Sequence, residues 1–400
     1  MDLGFWRKLN KPTSGECAEP IMALAPMANV TDVAFRRIIA KYGKPDVLWT
    51  EFVSADGLMN KKGREALLVD LLYSEIERPI VAQLFSGNPE KMFEAAKLVK
   101  ELGFDGLDIN MGCPDRSIEK SGAGAALIKN PRLAREIIRA AKDGIAAACH
   151  SPFPKGSTAS SQEGFKSSGL ADSATSFRKG GIIPISIKTR LGYNKDILEE
   201  WLPELLAEKP AVVTIHARTR KEMSKVPAHW ERVKKAVEIR DAFFSSPSLG
   251  EGDRGVVRNS LSNSPSSKEG EGKSKTLIFG NGDVKDLADA RAKAKEAGAD
   301  GIMLGRAIFG NPWLFATTKE GQLIKHSVSD RLGVLVEHVK LFDELLGKHK
   351  NFAIMKKHFK AYVEGFDGAK ELRMKLMETE NAGEVEAIIS NYLSTNDILV

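Results

Sequence analysis

The sequence predicts an α/β protein: a (β/α)8 TIM barrel with a small C-terminal all-helical domain. Eight short apolar runs, each ending in a small or polar residue, alternate with helix-periodic segments across residues 21–307. From about Trp313 onward the pattern turns helical only, with no further strand candidate. The glycine-rich loops come late, after the seventh and eighth runs, whereas a doubly wound open sheet usually carries its phosphate loop after the first strand.

In chain order the expected strands are Ile21–Met27, Asp46–Glu51, Pro79–Phe85, Gly106–Gly112, Pro184–Arg190, Ala211–Arg218, Thr276–Gly282 and Gly301–Ala307. The segments between them show helical spacing. In Pro89–Leu102, for instance, Met92, Ala95, Ala96, Val99 and Leu102 fall on one face. The C-terminal helices are expected at Arg331–Leu346, Phe352–Val363, Ala369–Glu378 and Glu384–Leu393. Two stretches, about 150–181 and 245–275, are rich in Ser, Gly and Lys and poor in large apolar residues. Such composition cannot offset the entropy of ordering, so both are expected to be disordered insertions. Each follows a helix and precedes a strand, which places it at the barrel face opposite an active site.

The composition bounds the protein's class. A chain of 400 residues at 42% hydrophobic can bury a large core and a smaller one besides. Lys plus Arg number 59 against 53 Asp plus Glu, a net charge of +6, which is compatible with a polyanionic partner without requiring one. Three cysteines (Cys17, Cys113, Cys149) make no disulfide framework and point to a reducing compartment. The N-terminus has no apolar core of a signal peptide, and no run reaches the roughly 18 apolar residues of a membrane span. A cytoplasmic protein with no membrane association is expected; no protein partner and no metal site are inferred.

The residues at the strand ends carry the chemistry. The fourth run, GLDINM, leads into Gly112-Cys113-Pro114, which places a thiol just past the strand's C-terminal end, followed by a loop with Gly122 and Gly124. A lone cysteine is more often an inert small hydrophobe. Set between Gly and Pro in such a loop, Cys113 is the leading candidate for catalysis. Ala25-Pro26-Met27-Ala28 after the first run offers small residues over which a flat ring could lie. Gln83 in VAQLF, Lys188 in ISIKTR and His216 in VVTIHAR are polar groups inside apolar runs, costly unless they meet a ligand. One such residue alone is commonly a satisfied core group; three on one barrel are harder to dismiss. Asn281-Gly282-Asp283 and Gly305-Arg306 stand at the two loops where barrels bind phosphate. Together these argue for a phosphorylated cofactor with a ring system, a flavin mononucleotide. Between Gly347 and Val363 lie Lys348, Lys350, Lys356, Lys357 and Lys360 with no acidic residue, interleaved with Phe352, Phe359 and Tyr362. The simpler reading is a solvated helix face with aromatics turned inward; the functional one is a surface gripping RNA backbone.

The motifs APMANVTD (25–32), VAQLFSGNPE (81–90), DINMGCP (108–114), KSGAGAAL (120–127), SIKTRLG (186–192), IHARTR (215–220), FGNGDV (279–284) and GIMLGRAIFGNPW (301–313) bring a family into view. Through them the chain resembles the tRNA-dihydrouridine synthases, flavin enzymes that reduce uridine in tRNA. MKKHFKAY (355–362) and KELRMKL (370–376) resemble that family's helical RNA-binding domain, and the two Ser/Gly-rich insertions depart from its usual pattern. The resemblance implies FMN held by Pro26, Met27, Gln83, Lys188, His216, Asn281, Gly282, Gly305 and Arg306, with NADPH as reductant. It implies Cys113 as the general acid, Asn110, Lys120 and Arg218 at the substrate, and Lys356 and Lys357 on the tRNA. The expected organisation is an N-terminal extension (1–19), an FMN-binding barrel (20–315) and a helical tRNA-binding domain (316–400). A flavin enzyme acting on a free pyrimidine, of the dihydroorotate dehydrogenase type, and an RNA-binding protein without catalysis remain as alternatives.

Overall fold

The computed structural model describes residues 3–10, 19–150, 182–245, 275–316 and 326–395. Most of both expected insertions lies outside these residues. Their described flanks run from the helices Pro131–His150 and Trp230–Ser245 into strands five and seven.

Eight parallel strands form one sheet: β1 (Ile21–Leu24), β2 (Leu48–Ser54), β3 (Ile80–Phe85), β4 (Gly106–Asn110), β5 (Ile185–Arg190), β6 (Val212–His216), β7 (Leu277–Asn281) and β8 (Gly301–Leu304). Each is almost wholly buried, as expected of strands covered on both faces. Neighbours pair in sequence order from β2 to β8, and β8 pairs with β1. The cylinder closes between β1 and the chain just ahead of β2, through the Ala23–Val47 bridge. Asp46 braces this closure, its carboxylate accepting from Met22 N at 2.7 Å. The β2–β3 register slips between Trp49 and Phe52, so Thr50 and Glu51 leave the regular ladder.

The floor of the barrel is a plug. The short helix Trp6–Leu9 inserts Trp6 among Trp49 and Phe279, with ring centroids 5.8 and 5.6 Å away. Leu3, Val81, Val212 and Met303 complete this apolar layer. Gly4 makes the entry turn with φ +53, and a Cβ there would fall 2.8 Å from Pro184, so the turn demands glycine.

Helices wrap the outside. Val33–Tyr42 is capped by Asp32, whose carboxylate accepts from Phe35 N at 3.0 Å. Beneath it the buried Arg36 donates to Glu77, Thr31 O and Leu72 O, so the charge is both paired and hydrogen-bonded.

The C-terminal helices Val328–Leu346, Lys356–Tyr362, Ala369–Leu376 and Ala382–Thr395 pack around Leu335, Val339, Phe342, Phe359 and Ile389. Their apolar cluster is continuous with Val33, Ala34 and Ile38 of the helix after β1. Lys350, from this helical part, reaches Glu51 at 2.8 Å and Asp70 at 2.7 Å, pinning the bundle to the irregular stretch of β2. No described helix is long and apolar enough to cross a membrane.

Candidate functional site

The C-terminal ends of the strands surround a cavity of about 300 Å³, and every strand or its following loop contributes to it. Ala25, Pro26 and Met27 come from β1, Phe52 from β2, Gln83 from β3, and Asn110, Gly112, Cys113 and Pro114 from β4. Lys188 and Arg190 come from β5, His216 and Arg218 from β6, Asn281, Gly282 and Asp283 from β7, and Met303, Gly305 and Arg306 from β8. The β1 loop is fixed by Thr31, whose Oγ1 accepts from Met27 N at 2.9 Å.

A chain of buried hydrogen bonds leads to the thiol. Ser186 Oγ and Gln83 Nε2 donate to the two oxygens of Asp108, at 2.5 and 2.6 Å. Gln83 Oε1 accepts from Asn110 Nδ2 at 3.0 Å. Asn110 Oδ1 accepts from the backbone N–H groups of Gly112 (3.1 Å) and Cys113 (2.9 Å). From β5, Arg190 Nε donates to Gly112 O at 2.7 Å, and Thr189 Oγ1 to Met111 O at 3.2 Å. The turn carrying Cys113 is thus held from two strands. Burial pushes the Cys113 thiol upward, with nearby Arg190 and Lys188 opposing in part, so it stays protonated at neutral pH.

The cavity is electropositive. Burial lowers Lys188 to about 8, with Arg190 adding like-charge pressure that Asp108 opposes. Its Nζ donates to Asn281 Oδ1 at 3.2 Å. Burial likewise brings Arg190 down to about 10 and raises Asp108 to about 6. His216 is driven well below its usual value, first by burial and then by Lys188 and Arg190, so the ring is neutral. Arg218 Nη1 lies 3.3 Å from His216 Nε2. A guanidinium can only donate, so Nε2 accepts and the ring proton sits on Nδ1. At the rim Arg306 pairs with Asp283 at 2.7 Å, beside Gly282 and Gly305.

All nine residues expected at a cofactor line this one cavity, as do Asn110, Cys113 and Arg218. Two of these already hold partners within the protein. The Asn110 side-chain carbonyl accepts from the Cys113 turn, and one N–H of its amide donates to Gln83. Arg218 is 2% exposed and braces Asp283, Val226 O and His216. Lys120, Lys356 and Lys357 do not line the cavity. Lys120 is exposed at the end of the helix Arg116–Lys120, and Lys357 donates to Asn29 O at 3.2 Å on the rim side of β1. Of the five C-terminal lysines, Lys350 is turned inward to carboxylates, and Phe352, Phe359 and Tyr362 are core residues.

Sequence reasoning gave no individual role to Arg190, Asp108 or Asp283. The first two carried a signal: they stand two residues from Lys188 and Asn110, so strand alternation sends them to the same side. Asp283 carried none, since its partners Arg218 and Arg306 come from other loops.

With this geometry in view, comparisons with known proteins converge. The chain matches the family model for dihydrouridine synthase (Dus) over residues 23–151, 170–244 and 271–396. The skipped segments fall within the two Ser/Gly-rich stretches. It is 34% identical over 394 residues to a probable tRNA-dihydrouridine synthase 2 of Bacillus subtilis (strain 168), covering 98% of this chain and 97% of that one. It is 32% identical over 399 residues to a probable tRNA-dihydrouridine synthase of Staphylococcus aureus (strain MRSA252), covering 99% and 98%. A barrel whose eight strands deliver these motifs to one cavity, matched end to end by such relatives, belongs to the dihydrouridine synthase family of oxidoreductases.

Proposed function

We propose that this enzyme reduces the C5–C6 double bond of uridines in tRNA to 5,6-dihydrouridine, with FMN in the cavity, NADPH as reductant and Cys113 as general acid. The observation that carries this reading is the half-buried Cys113 thiol, held as a proton carrier on the wall of an electropositive, strand-end cavity.

The residues suit the cofactor. The volume lies at the lower end of the range for small-molecule sites. Gly282 has φ +130, and a Cβ there would stand 2.9 Å from Ala228, so the bare backbone is available to a phosphate oxygen. Arg306 and the Gly282 and Gly305 backbones would hold the phosphate, while Pro26, Met27, Gln83, Lys188, His216 and Asn281 would hold the ring and its side chain. When bound, FMN supplies the hydride that C6 of the uracil must receive.

The protein's own residues do the rest. Hydride addition leaves enolate character at C5, and the Cys113 Sγ–H gives its proton there, the S–H bond breaking as the C5–H bond forms. A thiol pushed upward by burial is charged with a proton at neutral pH, as an acid must be. Asn110 and Arg190 fix its backbone, and Lys188 and neutral His216 offer donors beside it.

A uridine in folded tRNA must leave its stack to reach this depth. We assign residues 20–315 to catalysis and 316–400 to holding the RNA, through exposed Lys357 and half-exposed Lys356, with exposed Lys120 as a further substrate contact. Within the N-terminal extension, residues 3–10 complete the barrel floor through Trp6, and the enzyme works where tRNA is found, in the cytoplasm.

The test is turnover with NADPH on tRNA against free uridine and free pyrimidines. Dihydrouridine formed only in tRNA is expected. Activity confined to a free base would transfer the assignment to a small-molecule reductase, and a protein that cannot be loaded with FMN would leave only RNA binding.

A further inference from the structure

After Cys113 the chain continues as the helix Arg116–Lys120 and the turn Gly124–Lys129. At its start, Asn110 accepts from Cys113 N–H and Arg190 donates to Gly112 O. This segment meets the loop after β6. There Arg220 Nε donates to Glu119 Oε1 at 2.8 Å, and Nη2 to Glu119 Oε2 at 2.5 Å, a two-pronged pair across 101 residues of sequence. The same Nη2 reaches Pro114 O, the carbonyl next to Cys113, at 3.4 Å. The partners are sheltered, with side chains 24% and 10% exposed, so the pair is not an ordinary surface contact.

Arg220 stands on a rigid base. Its N–H donates to Gly192 O and that of Lys221 to Tyr193 O, both at 2.9 Å, joining the loops after β5 and β6. Gly192 is obligatory there, because a Cβ would fall 1.9 Å from Lys195 O. The Tyr193 ring lies against the Arg220 guanidinium at 5.3 Å and the Lys129 ammonium at 4.3 Å. Two tied loops therefore grip the Cys113 segment at both its helix and its following turn.

We propose that Arg220 is a positioning residue, which holds the Cys113 thiol at the cavity by tethering Glu119 and the Pro114 carbonyl to the loop after β6; this rests on reading Cys113 as the proton donor. The guanidinium is spent on Glu119, Pro114 O and Tyr193, which sets it apart from arginines that grip RNA phosphates.

The experiment uses the full-length FMN-loaded enzyme. Steady-state turnover on tRNA is measured beside the rate of Cys113 alkylation by iodoacetamide without tRNA, resolved by peptide mass spectrometry. Arg220→Ala should lower kcat about tenfold or more, since small misplacements of reacting groups are expensive. KM should move less than about threefold, while alkylation of Cys113 accelerates several-fold. Arg220→Lys, which keeps the charge but not the fork, should fall between. The exchange Arg220→Glu with Glu119→Arg should recover most of both losses. A loss confined to KM with unchanged alkylation would make Arg220 an RNA contact, and an exchange variant as impaired as Arg220→Ala would also overturn the tether. Alkylation is read without tRNA, so an enzyme inactive on tRNA that still shows the protection and its rescue supports the tether while removing the functional reading.

Discussion

At the floor of the barrel, Trp6, Trp49 and Phe279 interlock with Leu3, Val81 and Val212 in an apolar layer. At the mouth, Lys188, Arg190, His216, Arg218 and Arg306 crowd one cavity, partly against their own titration preferences. The same eight strands build both ends. Burial that stabilises the floor through apolar area is what depresses Lys188, Arg190 and His216 and raises the Cys113 thiol at the mouth. The difference teaches that stability and chemistry are segregated along the barrel axis, so each can be removed without the other.

The strongest way to break that division is Trp6→Ala. Removing a buried indole from a full layer should cost about 3–5 kcal/mol, read by denaturant unfolding, while turnover per folded molecule stays near normal. Unchanged stability would mean that the floor does not carry the load ascribed to it.

A second probe is pH. His338 and His358 are buried between the helical bundle and Phe35, with ring centroids 4.8 Å apart. Burial holds His338 well below its usual value and His358 down to about 3. The unfolded chain binds protons on both near pH 6.5 and the folded chain does not, so their contribution is intact above that value and is lost as pH falls from about 6.5 toward 3. The loss approaches about 1.4 kcal/mol per pH unit for each histidine. His358→Leu should remove about half of that acid-side slope; a variant with the parental slope would place the sensitivity elsewhere.

The smallest effect is expected at the bundle surface. Lys356→Ala with Lys357→Ala should weaken tRNA binding severalfold and reduce its salt dependence by about two counterions, with no change in unfolding midpoint. Binding unchanged at low salt would return these lysines to a solvated face.

Much of this was legible in the sequence. Apolar runs flanked by helical periodicity located all eight strands, because parallel strands buried on both faces must read that way. The first and last runs overshoot at their C-terminal ends, Ile21–Met27 shortening to Ile21–Leu24 and Gly301–Ala307 to Gly301–Leu304, as Pro26, Met27, Gly305 and Arg306 turn out of the ladder to line the cavity, whereas Asp46–Glu51 falls short of β2, which runs on to Ser54. Polar residues interrupting apolar runs found Gln83, Lys188 and His216. Long-range pairing was not legible. Lys350 sits in a basic stretch, yet its carboxylate Glu51 is 299 residues away. Asn110 and Arg218 are committed to partners that only the closed cylinder brings together. The Trp6 plug, on a helix of four residues, is too short to show a period.

The decisive measurement is dihydrouridine formation by Cys113→Ala on native tRNA, with flavin absorbance and unfolding midpoint followed in the same preparation. A drop of about 10²–10⁴ in turnover, with flavin and midpoint retained, is the expected result. Near-normal turnover would contradict the placement of the proton donor at the mouth of this barrel.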